Sequence, residues 1–262
     1  MRFLLQVPKL WPGVVGRRCC HTQIAASASP STQSSEQLAA KLKLANDAIA
    51  KALHQYKPNE MMLCFNGGKD CTVLLDVLAK LKWDPPLRAI CVKSFDPFEE
   101  VEQFIDSCTQ RYQLQLQRYD GALKIAVEQA MSDQPQVRAM FLGCRRSDPG
   151  CANFQEMMPC DNDWPSLMRI FPLLEWSYHD IWAYLRGNQL SYCKLYDQGY
   201  TSLGEKCSTR VNPSLLTYDE SQKKLIYRPA YELQDGKLER TNREDGGHEH
   251  GRQQQASDKQ CY

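Results

Sequence analysis

The sequence predicts an α/β fold in which an open, mostly parallel and twisted sheet carries helices on both of its faces. Between residues 61 and 142, short apolar runs alternate with longer amphipathic segments. This alternation is typical of strand–helix–strand units, whose right-handed crossovers build a parallel sheet. The first apolar run is continuous rather than alternating, which indicates a strand that is buried on both faces. A chain of 262 residues with 42% hydrophobic side chains is large enough to bury such a core.

A long amphipathic helix is predicted to precede the first strand. Ser34 is the expected N-cap, because Gln37 three residues later completes a capping box. The chain then shows one apolar face at helical spacing and is expected to leave the helix at Lys57-Pro58-Asn59. The residues of that face are Leu38, Leu42, Ala45, Ile49 and Leu53.

The strands and crossover helices then follow in alternation. Thr72–Leu81 is predicted to be helical because its leucines recur at helical spacing, and Pro85-Pro86 stops this helix. The predicted strands are Met61–Phe65, Leu87–Val92, Leu114–Tyr119 and Val137–Leu142, and the other crossover helices are Phe98–Tyr112 and Ala122–Met131.

The character of the chain changes after Gly143. Residues 144–166 form a polar loop with three prolines and three cysteines. A loop longer than about 12–15 residues in a compact domain is usually functional. Beyond it we expect a strand at Leu167–Leu174, a helix at Tyr178–Leu185 and a short strand at Leu225–Tyr227.

The two ends of the chain differ in composition from the middle. Residues 1–35 contain Arg2, Lys9, Arg17 and Arg18 but no acidic residue, and serines enrich their second half. Such a composition resembles a mitochondrial transit peptide, so we expect a location in the mitochondrial matrix. A leader without a targeting signal would instead leave the protein in the cytoplasm. We therefore divide the chain into a disordered leader at 1–35, a folded catalytic domain at 36–243 and a disordered, low-complexity tail at 244–262.

Charge and cysteine usage exclude several classes of function. A net charge of +1 gives no electrostatic footprint for bulk nucleic acid or for anionic membranes, and no apolar run has the length of a membrane span. The twelve cysteines are spread along the chain, without a Cys-x-x-Cys pair. Cys64, Cys91 and Cys144 lie in apolar runs, where a reduced cysteine behaves as a small hydrophobic residue.

The segment Phe65–Asp70 (FNGGKD) has the features of a phosphate-binding loop. It follows the first predicted strand and opens the first crossover helix. Gly67 and Gly68 allow a sharp turn, and the unsatisfied amides of a helix start carry partial positive charge. Lys69 adds a cation, whereas Asp70 would repel phosphate unless it caps the helix or acts through a metal ion. A simple tight turn is the alternative reading of this loop.

Several stretches resemble, in the same order along the chain, the motifs of a known enzyme family. The strand–NGGKD–helix unit is similar to the pyrophosphate loop of the adenine-nucleotide α-hydrolase superfamily, and FNGGKD is the form found in eukaryotic FAD synthases, relatives of the phosphoadenylyl-sulfate reductases. The resemblance covers about residues 40–243. Its other motifs are Phe141–Pro149 (FLGCRRSDP), Asp161–Pro165 (DNDWP), Met168–Trp176 (MRIFPLLEW), Leu195–Gly204 (LYDQGYTSLG), Tyr227–Tyr231 (YRPAY) and Glu239–Arg243 (ERTNR).

This resemblance implies the Rossmann-like fold of that superfamily and the activity of an FMN adenylyltransferase, which transfers AMP from ATP to FMN with Mg²⁺. Phosphoryl and nucleotidyl transfers depend mostly on positioning and charge neutralisation. By resemblance, Asn66, Asp70, Asp148 and Arg240 are the catalytic residues, with Asp148 beside the metal. The implied phosphate ligands are Phe65, Gly67, Gly68, Lys69, Arg145, Arg146 and Arg243, and the implied FMN ligands are Asp161, Trp164 and Arg169.

Each of these assignments has a structural alternative. Asp148 before Pro149 is a common turn opener, and Arg145-Arg146 and Arg240 with Arg243 fit solvated surface pairs. Trp164 fits a core position equally well.

For the FAD synthase, we also expect hand-over of FAD to client flavoproteins. Two other functions fit the same fold: a sulfonucleotide reductase, and a flavin-binding or delivery protein without catalysis. The reductase needs a nucleophilic cysteine beside a glycine and a histidine near the C-terminus, and Cys261 lies in a Gln-rich tail without them. Oligomeric state stays open.

Overall fold

The computed structural model describes residues 30–81, 83–161 and 163–244. The predicted leader at 1–35 lies outside these residues except for 30–35, which belong to the first helix, and the predicted tail at 244–262 lies outside them except for Glu244. The first helix, α1, spans Pro30–Gln55. It therefore begins four residues before the expected N-cap Ser34, and the prediction of a capping box at Ser34 is wrong. Its C-terminal end agrees with the expected stop before Pro58.

Six strands form one sheet in the order β3-β2-β1-β4-β6-β5. All neighbouring pairs are parallel except β5, which is antiparallel to β6 at the edge of the sheet. This confirms the predicted open and mostly parallel sheet. The strands are β1 (Met61–Cys64), β2 (Arg88–Val92), β3 (Gln115–Tyr119), β4 (Ala139–Phe141), β5 (Met157–Pro159) and β6 (Met168–Ile170).

Helices cover both faces of this sheet, as predicted. Along β1, Met61 and Leu63 join a cluster with α1 and the helices α2, α3 and α5, whereas Met62 and Cys64 join a second cluster with α4. Each such apolar side chain contributes about 1.5–3 kcal/mol when fully buried. The crossover helices are α2 (Lys69–Ala79), α3 (Glu99–Tyr112) and α4 (Leu123–Asp133), and α5 spans Tyr178–Gly187.

The strand order reverses between β1 and β4. The chain runs from β1 outward to β2 and β3, and then returns to β4 on the other side of β1. In open α/β sheets, ligands bind in the crevice outside the carboxyl ends of the strands at such a switch point. The loops that follow β1 and β4, residues 65–68 and 142–149, meet there.

The C-terminal part is less regular than predicted. The expected strand at 167–174 is limited to β6, because the chain turns at Phe171–Trp176, where Leu174 and Trp176 donate to carbonyls three residues back. The expected strand at 225–227 is confirmed as β8 (Lys224–Tyr227), but its hairpin partner β7 (Leu216–Asp219) and the edge strand β5 were not predicted. Short 3₁₀ turns make up much of residues 194–238.

Two further predictions from the sequence, on membrane spans and on cysteines, concern residues that the structure describes. Within them, no helix has the length and apolar character needed to cross a membrane. Cys64, Cys91 and Cys144 are buried in the hydrophobic clusters, which confirms that they pack as small apolar side chains.

Candidate active site

The loop between β1 and α2 has the sharp turn that its glycines predict. Gly67 has a φ of +72°, and a Cβ atom there would lie 2.8 Å from the side chain of Ile105. Only glycine fits this conformation and this close approach. The amide of Gly68, the N-cap of α2, donates to Oδ1 of Asn66 over 3.0 Å. The side chain of Phe65 is fully buried in the core, so only its backbone belongs to the loop.

Two amides at the start of α2 are occupied by side-chain oxygens. Besides the Gly68 amide, the backbone N–H of Lys69 donates to the hydroxyl of Tyr196 over 2.9 Å. Tyr196 is buried and comes from a 3₁₀ turn far along the chain, and no sequence pattern indicated this contact. Side-chain oxygens of the protein thus accept from the two amides that would otherwise bind the oxygens of an anion at a helix N-terminus.

Beneath the loop lies a set of five ionisable side chains, which we call the charge cluster: Lys69, Asp70, Arg145, Asp148 and Glu239. The ammonium of Lys69, a residue with 2% exposure, contacts Asp70 over 2.9 Å and also bonds to Glu239. Its Nζ lies 5.4 Å from the ring centre of Tyr178. A buried cation requires such partners, because transfer of a single ion from water costs several kcal/mol.

Arg145 connects the three carboxylates of the cluster. Its Nε lies 2.9 Å from Oδ1 of Asp70, and its Nη2 lies 2.9 Å from Oδ1 of Asp148 and 2.7 Å from Oε2 of Glu239. Its own backbone N–H donates to Oδ2 of Asp148 over 2.8 Å. Two cations and three carboxylates give the cluster a formal charge of −1.

The cluster shifts the pKa values of its members in opposite directions. Burial opposes ionisation of Asp70, but Arg145 and Lys69 outweigh it and lower its pKa. For Asp148, burial together with the charge of Asp70 prevails over Arg145, and the pKa is raised. Burial disfavours the charged form of Lys69, yet Asp70 and Glu239 raise its pKa overall. The ionised state is therefore well stabilised at Asp70 and less so at Asp148.

A cleft of about 610 Å³ opens beside the cluster. It is lined by residues 146–149, by residues 174–179 up to the start of α5, and by residues 234–237, 239 and 240, and both Asp148 and Glu239 face it. Arg240 is exposed on its wall, and its guanidinium has no hydrogen bond or ion pair within residues 30–81, 83–161 and 163–244. Of the predicted arginines, Arg240 is the one whose cation is available in this cleft.

The other predicted arginines are already engaged. Arg145 is 2% exposed and belongs to the charge cluster. Arg146 lines the cleft, but it pairs with Glu175 and donates to two backbone carbonyls between 2.8 and 3.1 Å away. Arg243 donates to the carbonyl of Leu203 over 2.8 Å and packs against Gly204. Phosphate binding by Arg146 and Arg243 stays a prediction.

The three residues predicted for FMN lie together near β5 and β6. Arg169 is 1% exposed, donates to the carbonyl of Pro159 over 2.9 Å and lies 3.7 Å from Asp161. Asp161 is about half exposed, and Trp164 is 7% exposed within the second hydrophobic cluster. This burial favours the core reading of Trp164, and FMN binding by these residues stays a prediction.

Sequence reasoning missed Glu239, although it stands in the motif ERTNR. Its carbonyl accepts from the hydroxyl of Thr201 over 2.6 Å, and the neighbouring carbonyl of Leu238 accepts from the amide of Asn212 over 2.8 Å. Asn212 also donates to Thr201 over 2.7 Å. Buried threonine and asparagine side chains therefore fix the segment that carries Glu239, and such polar positions have no periodicity that a sequence reveals.

The side chains present fit a metal ion only if the substrate supplies most of its ligands. In the described part of the chain, no three histidine, cysteine or carboxylate groups converge as a metal site. Asp70 and Glu239 are bound to the cluster's cations, and Asp148, whose side chain is 18% exposed, accepts from Arg145 with both oxygens. Asp148 also opens a turn at 148–151, where the N–H of Cys151 donates to its carbonyl, as its structural alternative predicted. One carboxylate at a cleft suits Mg²⁺, which prefers one or two carboxylates together with phosphates.

Comparisons with known proteins show what the chain is similar to. A family model for the phosphoadenosine phosphosulfate reductase domain matches residues 60–136 and 117–211. The chain is 39% identical over 210 residues to a probable FAD synthase of Caenorhabditis briggsae. This match covers 78% of the chain and 40% of the relative. It is also 36% identical over 205 residues to a probable FAD synthase of Schizosaccharomyces pombe, and this match covers 74% of the chain and 76% of the relative.

The structure is also similar to that of Candida glabrata FMN adenylyltransferase in complex with FMN and the ATP analogue AMPCPP. The TM-score is 0.75 at 25% sequence identity, and the match covers 84% of this chain and 94% of the other. The chain thus covers nearly all of this fungal structure, but only about 40% of the length of the Caenorhabditis relative.

Proposed function

We propose that this chain, which belongs to the phosphoadenosine phosphosulfate reductase domain family and within it to the FAD synthases, transfers AMP from ATP to FMN and releases pyrophosphate. The observation that carries the proposal is the junction of the Asn66–Asp70 loop with Arg145 and Asp148 beside an open cleft at the switch point of the sheet. A nucleotidyltransferase needs a phosphate-binding loop, cations for the developing charge and room for two substrates, and this arrangement offers each of them.

The loop is suited to the polyphosphate of ATP. The amides of Gly68 and Lys69 now donate to Asn66 and Tyr196, whose oxygens an incoming phosphate would replace. Both amides lie at the N-terminus of the eleven-residue helix α2, where the partial positive charge favours an anion. Asn66 is exposed, so its side chain is able to turn toward a ligand.

In the reaction, a phosphate oxygen of FMN forms a bond to the α-phosphorus of ATP, and the bond between the α-phosphorus and the bridging oxygen to the β-phosphorus breaks. Pyrophosphate leaves with that electron pair. Negative charge grows on the leaving group, and Arg240 at the cleft wall is placed to neutralise it. Lys69 and Arg145 supply two further fixed cations from beneath the loop.

Mg²⁺ belongs to this proposal as an ion carried by the ATP phosphates. Asp148 is the protein carboxylate that would hold it, because Asp148 faces the cleft and its side chain is partly exposed. The ion supplies positive charge that screens the phosphates from Asp70 and Asp148. Omission of Mg²⁺ with excess chelator is expected to abolish FAD formation, and full activity under that condition would contradict the role of the metal.

The proposal is tested by incubating the purified chain with FMN, ATP and Mg²⁺ and separating the products by chromatography. Equimolar FAD and pyrophosphate are expected. Reduction of phosphoadenylyl sulfate by thioredoxin, with no FAD formed, would identify a reductase instead. Tight FMN or FAD binding without turnover would identify a flavin carrier, and hand-over of FAD to client flavoproteins also stays a prediction.

Import into mitochondria is proposed from the acid-free, basic composition of residues 1–35. A fusion of these residues to a fluorescent reporter is expected to reach mitochondria. A matched fusion in which Arg2, Lys9, Arg17 and Arg18 are replaced by glutamine should stay in the cytosol. A diffuse signal from the unmodified fusion would contradict the proposal and favour a cytoplasmic synthase.

A further inference from the structure

The carboxylate of Glu239 lies between the two buried cations of the charge cluster. It accepts from Nζ of Lys69 with one oxygen and lies 2.7 Å from Nη2 of Arg145 with the other. Glu239 is 7% exposed. It is the third carboxylate beside two cations, and it gives the cluster its formal charge of −1, which disfavours a polyphosphate ligand. Its presence in the cluster therefore needs a reason other than attraction of substrate.

The position of this carboxylate is set independently of the cations that it contacts. Its carbonyl is bound by Thr201, and the carbonyl before it is bound by Asn212. Three residues further on, the amide of Asn242 donates to the carbonyls of Ser202 and Arg210 over 2.9 Å each. The backbone around Glu239 is thus held on both sides by hydrogen bonds, and its carboxylate contacts two long side chains that otherwise share only Asp70 among the described residues.

We propose that Glu239 is a positioning residue for AMP transfer, which fixes the Lys69 ammonium and the Arg145 guanidinium where the phosphates react and thereby reduces the affinity for ATP. For the reaction, this inference rests on the proposed function. Cations that are already in place need no reorganisation as charge develops, so the benefit falls on kcat. A negative charge beside the phosphates opposes their binding, so the cost falls on the affinity for ATP.

The test replaces Glu239 with glutamine, which keeps the shape and removes the charge. In Glu239→Gln, kcat should fall at least about tenfold because the two cations are no longer held in one geometry. The KM for ATP should fall at least about threefold because the cluster loses one negative charge. A purely structural role would lower the amount of folded enzyme, and hence the apparent kcat, without tightening the binding of ATP.

Two further measurements make the outcome decisive. The dissociation constant of ATP is measured by calorimetric titration without FMN, so that no turnover is required. The control is Glu244→Gln, five residues away in the same segment, where the exposed carboxylate pairs with Arg210 outside the cluster. Kinetics and ATP binding of this control should equal those of the wild type, and a melting curve checks that each variant is folded.

A second variant covers the case in which Glu239→Gln does not fold. Glu239→Asp retains the charge but is one methylene shorter, so its carboxylate cannot contact both cations. Its kcat should fall about tenfold, while its affinity for ATP stays within about twofold of the wild type. Wild-type kcat in this variant would overturn the proposal, and so would failure of both variants to fold, since Glu239 would then be structural.

The result also separates the inference from the proposed function. If the wild-type chain makes no FAD, the proposed function fails, and the ATP titration alone decides the electrostatic part of the inference. Weaker or unchanged ATP binding in folded Glu239→Gln would overturn it. If FAD is made but Glu239→Gln has wild-type kcat, the inference fails and the proposed function stands.

Discussion

Residues 61–142 and residues 194–244 both reach the charge cluster, but different forces hold them in place. The first region consists of strands and crossover helices whose apolar side chains form two buried clusters. The second consists mainly of 3₁₀ turns and one hairpin, and buried polar side chains bind its backbone. The first region supplies Lys69 and Asp70, the second supplies Glu239, and Arg145 follows the last strand of the first region.

This difference shows how one site draws on two kinds of stability. Burial of apolar area has no directional requirement, and the close packing of the buried side chains builds a rigid platform at the switch point. A segment held by hydrogen bonds has a well-defined position, because those bonds are directional. Its stability depends on a few buried groups such as Asn212 and Thr201. Each buried polar atom left without a partner costs about 1–3 kcal/mol.

The largest effect is expected at Arg145, which joins the two regions. Arg145→Ala leaves Asp70, Asp148 and Glu239 facing one another with only Lys69 to neutralise them. Removal of one partner from such a buried network should lower the free energy of unfolding by about 3–5 kcal/mol. Where the variant is folded, kcat/KM for FAD formation should fall by at least about 10³-fold.

Urea unfolding and product formation measure the two effects. The control is Arg146→Ala, since this neighbour is partly exposed and contacts Glu175 and backbone carbonyls rather than the cluster. Its unfolding free energy should change by less than about 1 kcal/mol. Equal unfolding curves for both variants would mean that Arg145 does not hold the two regions together.

The next effect concerns Arg240, which follows Glu239 but points into the cleft instead of the cluster. Arg240→Ala should reduce kcat by at least about 10²-fold, because a cation that stabilises developing charge acts in the transition state. The melting temperature should stay nearly unchanged, since surface substitutions alter stability by about ±0.5 kcal/mol. Truncation after Glu244 should be tolerated, whereas truncation before Glu239 should abolish activity. Wild-type kcat in Arg240→Ala would show that this arginine is a solvated surface residue.

The sequence predicted the first region well because apolar periodicity is what builds it. The strands β1 to β4 and the helices between them lie within a few residues of their expected bounds, and Gly67 has the positive φ that its loop requires. The sheet edge β5 was missed because its strand is short and only partly buried, so it carries no apolar run. The predicted helix start at Ser34 was wrong because α1 begins at Pro30, and proline is favoured at the first position of a helix.

The sequence predicted fewer of the contacts in the second region. The motif ERTNR directed attention to Arg240 and Arg243, but it is Glu239 that enters the cluster, while Arg243 binds the carbonyl of Leu203. The contact depends on where Thr201 and Asn212 place the backbone, and neither residue lies near residue 239 in sequence. Long-range hydrogen bonds of this kind leave no periodic signal, so the sequence predicted the turn after β1 but not the buried carboxylate of Glu239 that lies beneath it.

A third effect tests the hydrogen bonds of the second region. Asn212 is fully buried, donates to Thr201 and to the carbonyl of Leu238, and accepts from the backbone N–H of Ser214 over 2.9 Å. Asn212→Ala should therefore cost about 2–3 kcal/mol. Hydrogen exchange should quicken at residues 238–244 and stay unchanged in β1 and β2. In Asn188→Ala, which removes an exposed amide from the end of α5, the cost should stay below about 1 kcal/mol. Uniformly faster exchange in Asn212→Ala would contradict a separately held segment.

The smallest effect concerns α1, which is attached to the first region by apolar contacts and to α5 by an ion pair between Lys41 and Asp180. Asp180 also accepts hydrogen bonds from the backbone and hydroxyl of Ser177 at the start of α5. Burial opposes its ionisation, but the bonds from Lys41 and Ser177 outweigh burial, so the pKa of Asp180 is lowered. A carboxyl group with a lowered pKa contributes stability above its unfolded pKa of about 4, and this contribution is lost as the pH falls through the folded value.

Asp180→Asn should therefore be less stable than the wild type at pH 7, and the difference should shrink as the pH falls below about 4. Because Lys41 and Asp180 are both partly exposed, water screens the pair and the difference should not exceed about 1 kcal/mol. Urea titrations at several pH values measure it. The control Asp47→Asn removes an exposed carboxylate from α1 that pairs with Lys43 within the same helix, and it should change stability by less than about 0.5 kcal/mol. A difference for Asp180→Asn that grows toward low pH would contradict the role of the ionised carboxylate, and apolar burial alone would then hold α1.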